Sequence, residues 1–437
     1  MRASIAALSS LALLAQRAFS QRVSFTDGTS DLTVIQGTNT RPPPAGNSPL
    51  PTDAYPTHES KITISGVTGA ISASNASATA APTASRATSG TGSGTSTGTG
   101  TRTGTALPEA TNKQTCNGWV EFCSRKYSNI TMVGAHNSPF VRPGNSGSNQ
   151  ALPVKTQLDD GIRFLQAQMQ WPANGSVPHF CHTTCDLLDA GPITDWLGEV
   201  YDWVDRHPYD VVTILLENGN YSDPSLYAPY IEKTGLLKYA YEPTVFPMDL
   251  EDWPTLETLI VNGKRVIFFI DYKANQTAYP WWLDEFSQMW ETQFDQTNRS
   301  FPCNAQRPPD LSDKAARDRM YMLNHNLNAE FDVFGTQLLV PAVSLLNTTN
   351  AGSGFGSLGL SANNCVEDWG RPPNVLNVDY YNYGSPAGSV FEVAALANNV
   401  SYVNRCCGMV VSGAARLGAH ALWGLMTTPL MALALLI

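Results

Sequence analysis

Charge is scarce in this chain. Asp, Glu, Lys and Arg make up 15% of its 437 residues, and the formal balance is −10. Lys and Arg never cluster, so there is no basic patch to neutralise a phosphate backbone, and nucleic acid is not an expected partner. No nucleophile elbow of the G-x-S-x-G type joins a strand to a helix. No H-E-x-x-H helix and no EF-hand loop occur either. These absences remove serine-hydrolase, zincin and EF-hand chemistry from the expected functions. Histidine is also sparse, with seven residues, so where the histidines fall is informative.

The two ends are distinctive. MRASIAALSSLALLAQRAFSQ carries Arg2, an apolar run and small residues before a cut after Ser20, the layout of a secretory signal peptide over residues 1–20. Its apolar run is too short to span a bilayer. The chain closes on ALWGLMTTPLMALALLI, preceded by Ser412, Gly413 and Ala414. A small-residue site, a short spacer and an apolar tail form a glycosylphosphatidylinositol (GPI) attachment signal over 406–437, with a retained membrane tail as the alternative. Eight cysteines fit an oxidising compartment. The close pairs Cys116–Cys123 and Cys181–Cys185 are expected disulfides, Cys303–Cys365 is a guess, and Cys406 and Cys407 stay unassigned. Sequons at Asn75, Asn129, Asn174, Asn220, Asn275, Asn298, Asn347 and Asn399 point to a secreted, glycosylated, cell-surface protein.

Between the ends the composition changes twice. Residues 66–114 are rich in Ser, Thr and Gly and read as a disordered, O-glycosylated stalk. Residues 21–65 hold short β-like runs (RVSF, LTVI, KITIS) broken by Pro and Gly, and have no assigned fold. Across 115–405 apolar runs alternate with helical stretches. NITMVGAH, GIRFLQAQMQ, VPHFCH, VVTILLEN, RVIFFIDYK, MYMLNHNL and VLNVDYYN read as seven strands, with LLVPAVSLL as an eighth or a loop. ITDWLGEVYDWVDRHP, TLETLIVNG, PWWLDEFSQMWETQF and SVFEVAALANNVSYV read as helices. The alternation implies an α/β fold of parallel strands, and continuous apolar strands favour a distorted TIM-type barrel.

Nearly every strand ends in polar residues: His136 and Asn137, Gln166 and Gln168, His182, Glu217, Asp271, Asn324 and His325, Asp379. A parallel barrel brings its strand C-termini to one mouth. Two histidines there suit paired acid–base work, with a carboxylate such as Asp379 fixing one imidazole. With no protein nucleophile in sight, such a pair suits a substrate carrying its own, a hydroxyl beside a phosphodiester. Alternation along its strand points Arg163 away from the mouth. His325 is as readily core as site, His207 reads as a helix end, and Trp281–Trp282 as core packing.

GAHNS, GIRFLQAQ, the CH of PHFCH, DWLGEVYDWVDRHPYDVVTILLEN and NVLNVDYYN resemble, in that order, the X-type domains of phosphatidylinositol-specific phospholipases C, and most of all the secreted fungal phospholipase C-like phosphodiesterases. The resemblance covers residues 115–405. It implies that His136 is a general base, His182 a general acid, and Asp379 the partner of the base. It matches Asn137 and Glu217 to calcium ligands of the eukaryotic enzymes. Their two further acidic ligands stand here as Gln166 and Gln168, and the arginine of the calcium-free bacterial enzymes is replaced by Gln168. One formal charge among four donors argues against tight calcium binding. Asn137, Gln166, Gln168 and Glu217 are therefore expected to bind substrate, with no metal and no cofactor. The expected function is cleavage of a phosphoinositol-type or related phosphodiester lipid by intramolecular hydroxyl attack, at a membrane surface reached through the C-terminal anchor. The alternative is a weak or inactive surface barrel that binds glycan or phosphoinositol headgroups.

Overall fold

The computed structural model describes Tyr55 and residues 61–63, 114–141, 147–333, 336–402 and 406–407. The expected signal peptide, nearly all of the Ser/Thr/Gly-rich stretch and the C-terminal tail lie outside the described residues. Twelve strands organise the barrel: β1 Met132–Ala135, β2 Phe164–Gln170, β3 His179–Cys181, β4 Asp189–Pro192, β5 Val212–Asn218, β6 Val266–Ile270, β7 Trp282–Asp284, β8 Met289–Glu291, β9 Met320–His325, β10 Asn328–Val333, β11 Thr336–Pro341 and β12 Val375–Val378. The main helices are α1 Val154–Asp160, α2 Ile193–Arg206, α3 Leu256–Val261, α4 Leu358–Trp369 and α5 Ser389–Ala397.

Eight strands pair in the order β8-β9-β12-β1-β2-β5-β6-β7, every pairing parallel. That is chain order taken cyclically, as in a (β/α) barrel. No ladder joins β7 to β8 among the described residues, so the barrel is distorted by a seam at that point. β3 and β4 form an antiparallel flap on β2, and β10–β11 is a separate hairpin.

Two strand expectations change. VPHFCH supplies β3 of the flap and not a barrel stave. The missing staves are β7 and β8, both inside PWWLDEFSQMWETQF, which reads as one helix in the sequence. There the chain makes only one helical turn, Glu285–Gln288, between two three-residue strands. Trp282, Phe286 and Trp290 thus recur every four residues without a helix to carry them, and three-residue strands are too short to display a period of two. LLVPAVSLL is neither barrel strand nor loop throughout: LLVP ends β11, and Val343–Leu345 turns into a short 3₁₀ helix.

Strand alternation divides the sheet into two faces. Val133, Leu165, Ala167, Ile214, Leu216, Phe268, Leu323 and Leu376 point outward into the layer under α1, α2, α4 and α5. Met132, Phe164, Leu215, Phe269, Leu283, Met289, Met322 and Val375 fill the lower interior. Continuing each inward register toward the strand C-termini gives His136, Gln166, Gln168, Glu217, Asp271, Glu285, Glu291, Asn324, Asn377 and Asp379. The barrel is an apolar plug below and a polar mouth above.

The outer layer explains several sequence features. α2 buries Ile193, Leu197, Val200, Trp203 and Val204, one stripe at helical spacing. His207 ends it, stacked 3.8 Å from Trp203. Arg163 faces this layer, paired with Asp210 at 2.8 Å, as its parity requires. Trp281 and Trp282 are stacked and buried. Disulfides join Cys116–Cys123, Cys181–Cys185 and Cys303–Cys365, and Cys406 pairs with Cys407. No helix among the described residues is long and apolar enough to cross a membrane.

Candidate active site

β1 delivers His136 to the mouth. Its backbone N–H donates to Val378 O of β12 (3.0 Å), and Gln150 Nε2 donates to His136 O (2.8 Å). Gly134, two residues earlier, lets β12 come close: a Cβ there would stand 2.9 Å from Val375 Cγ1 and 3.0 Å from Asn377 Oδ1. Asp379, buried on β12's extension, accepts from His136 Nδ1 at 2.7 Å and from Asn149 Nδ2 at 2.9 Å. A carboxylate only accepts, so Nδ1 carries the proton and Nε2 holds the lone pair. That nitrogen accepts from Asn137 Nδ2 (3.1 Å). Burial by itself would lower the imidazole's pKa, but Asp379, with Glu217 and Asp295 behind it, overrides burial and raises it.

His182 follows β3 inside the Cys181–Cys185 loop. Its ring lies 5.3 Å from that of Phe140, whose N–H donates to Asn137 O (3.0 Å). The two histidines thus belong to one rim. Gln168 Oε1 holds the His182 loop, accepting from Thr183 N–H (3.0 Å) and Gln170 Nε2 (2.8 Å). Gln166 is buried, and its amide bridges the barrel: Nε2 donates to Glu217 Oε1 (2.9 Å) and Oε1 accepts from Asn377 Nδ2 (2.6 Å). His325 is no part of the mouth chemistry. It is buried, stacked 3.7 Å from Phe301, with Nε2 3.1 Å from Ser361 Oγ, and burial pushes its pKa down to about 3.

The opposite wall is acidic, and most of it escaped the sequence. From Asn377 the polar chain passes to Asn324 (2.9 Å) and then to Glu291 Oε2 (2.9 Å). Arg307, buried from the β8–β9 loop, donates to Glu291 Oε2 (3.0 Å), Asp271 Oδ2 (3.3 Å) and the Tyr272 hydroxyl (2.9 Å). Asp271, Glu285 and Glu291 are at most 2% exposed. Burial, with Glu217 beside it, pushes the Asp271 carboxyl up to about 7. Burial likewise raises Glu217. Glu285 goes well above the usual range, through burial and the adjoining Glu291 carboxylate. As a carboxylate Glu285 would have no donor to either oxygen; as an acid it shares its proton with Glu291. Arg307 keeps its charge because Glu291, Tyr272, Asp271 and Glu285 override the burial that opposes it.

The resemblance implies calcium, and the donor set does not fit it. Asn137 Oδ1 is buried without a partner and Glu217 carries one carboxylate. Gln166 Oε1 and Gln168 Oε1, however, already accept from Asn377 and Thr183. Among the described residues, no three acidic, histidine or cysteine ligand atoms converge at the mouth; the one such trio is Asp160 with the disulfide-bonded Cys406 and Cys407.

Backbone strain marks the same face. Of nine described non-glycine residues with positive φ, five fall just past barrel or flap strand ends: Asn137 (+48°), Thr183 (+65°), Tyr221 (+53°), Lys273 (+62°) and Tyr380 (+45°). Such conformations cost roughly 1–3 kcal/mol each and collect at functional sites.

Fold and site together define an α/β barrel carrying a carboxylate-braced histidine at its C-terminal mouth. A family model described as PI-PLC X 1 matches residues 122–393, more than half of the chain. The chain belongs to the PI-PLC X family. It is 53% identical over 305 residues to an "Uncharacterized secreted protein" of Arthroderma benhamiae, covering 70% of this chain and 69% of that one. It is 41% identical over 285 residues to a "PI-PLC X domain-containing protein 1" of the same organism, covering 64% and 88%. A phosphatidylinositol-specific phospholipase C from Staphylococcus aureus aligns with TM-score 0.40 and 13% identity over 62% of this chain and 93% of that one.

Proposed function

We propose that this barrel cleaves phosphoinositol-type or related phosphodiester lipids by intramolecular attack of a substrate hydroxyl on phosphorus. The observation that carries this reading is the Asp379–His136 pair, 2.7 Å apart, with Nε2 turned toward Asn137 at the mouth. His136 Nε2 takes the proton from the attacking hydroxyl, and the Asp379 carboxylate stabilises the imidazolium that forms. The hydroxyl oxygen bonds to phosphorus, the bond to the leaving oxygen breaks, and His182 gives that oxygen its proton. The products are a cyclic phosphodiester and an alcohol. Asn137, Gln166, Gln168 and Glu217 make the substrate wall, where Asn137 and Glu217 meet the headgroup. Gln166 fixes Glu217, and Gln168 fixes the loop that carries His182.

The protein acts outside the cell, glycosylated and held at a membrane surface by a GPI anchor. The sequons support this: the seven described ones, Asn129, Asn174, Asn220, Asn275, Asn298, Asn347 and Asn399, are all exposed. The test is a phosphodiesterase assay on phosphatidylinositol and lysolipid substrates, with and without calcium, beside His136→Ala and His182→Ala. Turnover should fall about 10²–10⁴-fold in either variant. Full activity in His136→Ala sinks the mechanism, and headgroup binding without product supports the inactive barrel instead.

A further inference from the structure

The segment ahead of the Ser/Thr/Gly-rich stretch has no fold that its sequence discloses, yet it is seated on the barrel at two points. Tyr55 packs edge-on against Tyr272, ring centroids 5.6 Å apart, and at a tilt against Phe286, 5.0 Å away. Ile62 and Thr63 pair antiparallel with Phe246 and Val245 of the β5–β6 connection. The Lys61 ammonium lies 2.7 Å from Asp249 and 2.5 Å from Asp252. These contacts meet the barrel where it is least complete. Phe286 belongs to the linker between β7 and β8, the two edges that do not pair. Met248 of the β5–β6 connection reaches that linker too, its N–H donating to Gln288 Oε1 (3.0 Å).

Tyr272 and Phe286 are also two of the three rings against which the buried cation rests, Phe294 being the third. The Arg307 guanidinium carbon is 5.3 Å from the Tyr272 ring and 5.0 Å from the Phe286 ring, and Arg307 donates to the Tyr272 hydroxyl. Tyr55 therefore backs an aromatic box whose content neutralises Asp271 and Glu291. A ring that backs a buried cation's partner excludes water from it, which strengthens every charge interaction inside.

We propose that Tyr55 and Lys61–Thr63 are strap points belonging to the barrel, seated beside the β7–β8 seam, with Tyr55 a positioning residue that acts through Tyr272 on Arg307 and the acidic wall.

The test uses the full secreted chain with Tyr55→Ala, Tyr55→Phe and Lys61→Ala. An antiparallel ladder turns only alternate N–H groups toward the partner strand, so amide exchange at one of the two residues Ile62 and Thr63 should be slowed at least about tenfold relative to a free peptide of the same sequence. Tyr55→Ala and Lys61→Ala should each bring it to within about threefold of the free rate, while Tyr55→Phe keeps the ring and the protection. Tyr55→Ala should also shift the pH dependence of the thermal midpoint between pH 4 and 7, the window of the Asp271 wall; Tyr55→Phe should not. Exchange at the free-peptide rate in the parent chain overturns the strap. An unchanged pH dependence in Tyr55→Ala overturns the positioning role. Neither exchange nor the thermal midpoint needs turnover, so both measurements decide the strap and the role of Tyr55 even in a barrel that proves inactive.

Discussion

The two walls of the mouth handle buried charge in opposite ways. On the β12–β1 side one carboxylate, Asp379, faces one imidazole, and the pair is braced by neutral amides from Asn137 and Asn149. On the β6–β8 side three buried acids, Asp271, Glu285 and Glu291, gather about one fixed guanidinium, Arg307. The first wall turns a basic lone pair toward the mouth, because Asp379 holds the proton on Nδ1 and leaves Nε2 facing outward. The second keeps its interior near neutrality, with Asp271 and Glu285 raised as acids and Arg307 facing Glu291. Gln166 and Asn377 connect the two, from Glu217 to Asn324. The proposed proton-transfer pair is thus set beside a charge-compensated scaffold, and substitutions on the two sides should differ in kind.

The largest effect is expected on the first wall. Asp379→Asn should cut turnover about 10²–10⁴-fold while the protein stays folded, since the group lost is the one that orients the base and stabilises its cation. The pH profile should move as well. Asp379 is the main cause holding the His136 pKa up against burial, so its removal lowers that pKa. The base must be neutral to act, so the rising limb of activity should shift to lower pH. An unmoved limb would show that His136 is not the base.

Arg307→Met should break the second wall in stability and not first in chemistry. It leaves Glu291 and Asp271 buried without their cation, a change that costs about 3–5 kcal/mol when one partner of a buried pair is removed. Urea unfolding measures it. Adding Glu291→Gln to Arg307→Met should restore part of the loss, because the residues share one network and their effects are not additive. Equal loss in the single and double variants would mean that Arg307 serves packing alone.

These two walls were unequally legible in the sequence. His136, Asn137, Gln166, Gln168, Glu217 and Asp379 all sit on or just past strands of four or more residues, where an apolar run that ends in a polar residue announces itself. The barrel topology then brings them together. Asp271 was visible as such an ending, but Glu285 and Glu291 were not, because β7 and β8 are three residues long and an aromatic residue every fourth position imitates a helix. Arg307 comes from a loop, and Asn149 and Gln150 from another; no periodicity marks a loop residue that turns inward. Tyr55 lies far from the barrel in sequence, so only the fold could pair it with Tyr272.

A smaller effect separates the walls by pH. Asp271 is pushed up to about 7 from its ordinary 3.8 by burial and by Glu217. A raised acid keeps in the folded state a proton the unfolded chain has released, so stability falls as pH rises from about 4 to 7. His136 has a raised pKa as a base; its contribution is whole below its ordinary 6.5 and is lost only as pH climbs through the raised value. Asp271→Asn should therefore flatten the slope of the thermal midpoint between pH 4 and 7 and leave the slope above it. A flattening confined to the upper window would assign the acid-side slope to some other group.

The smallest effect is expected from calcium. The mouth's oxygen donors are largely committed: Gln168 Oε1 to the His182 loop, Gln166 Oε1 to Asn377, and the Glu291 and Asp271 carboxylates to Arg307. A hard cation wants several charged oxygens at once, and here Glu217 alone would offer one beside the amide of Asn137. Chelation with EDTA, or addition of millimolar calcium, should change phosphodiesterase turnover by less than about twofold. Arg307→Met sharpens the point, since it frees two carboxylates on the second wall. Calorimetric titration with calcium should show no binding to the parent chain and weak binding to that variant. Tight binding to the parent chain would mean that the amides of Gln166 and Gln168 give up their partners to a metal, and the first wall would then owe its chemistry to a cation as the second does.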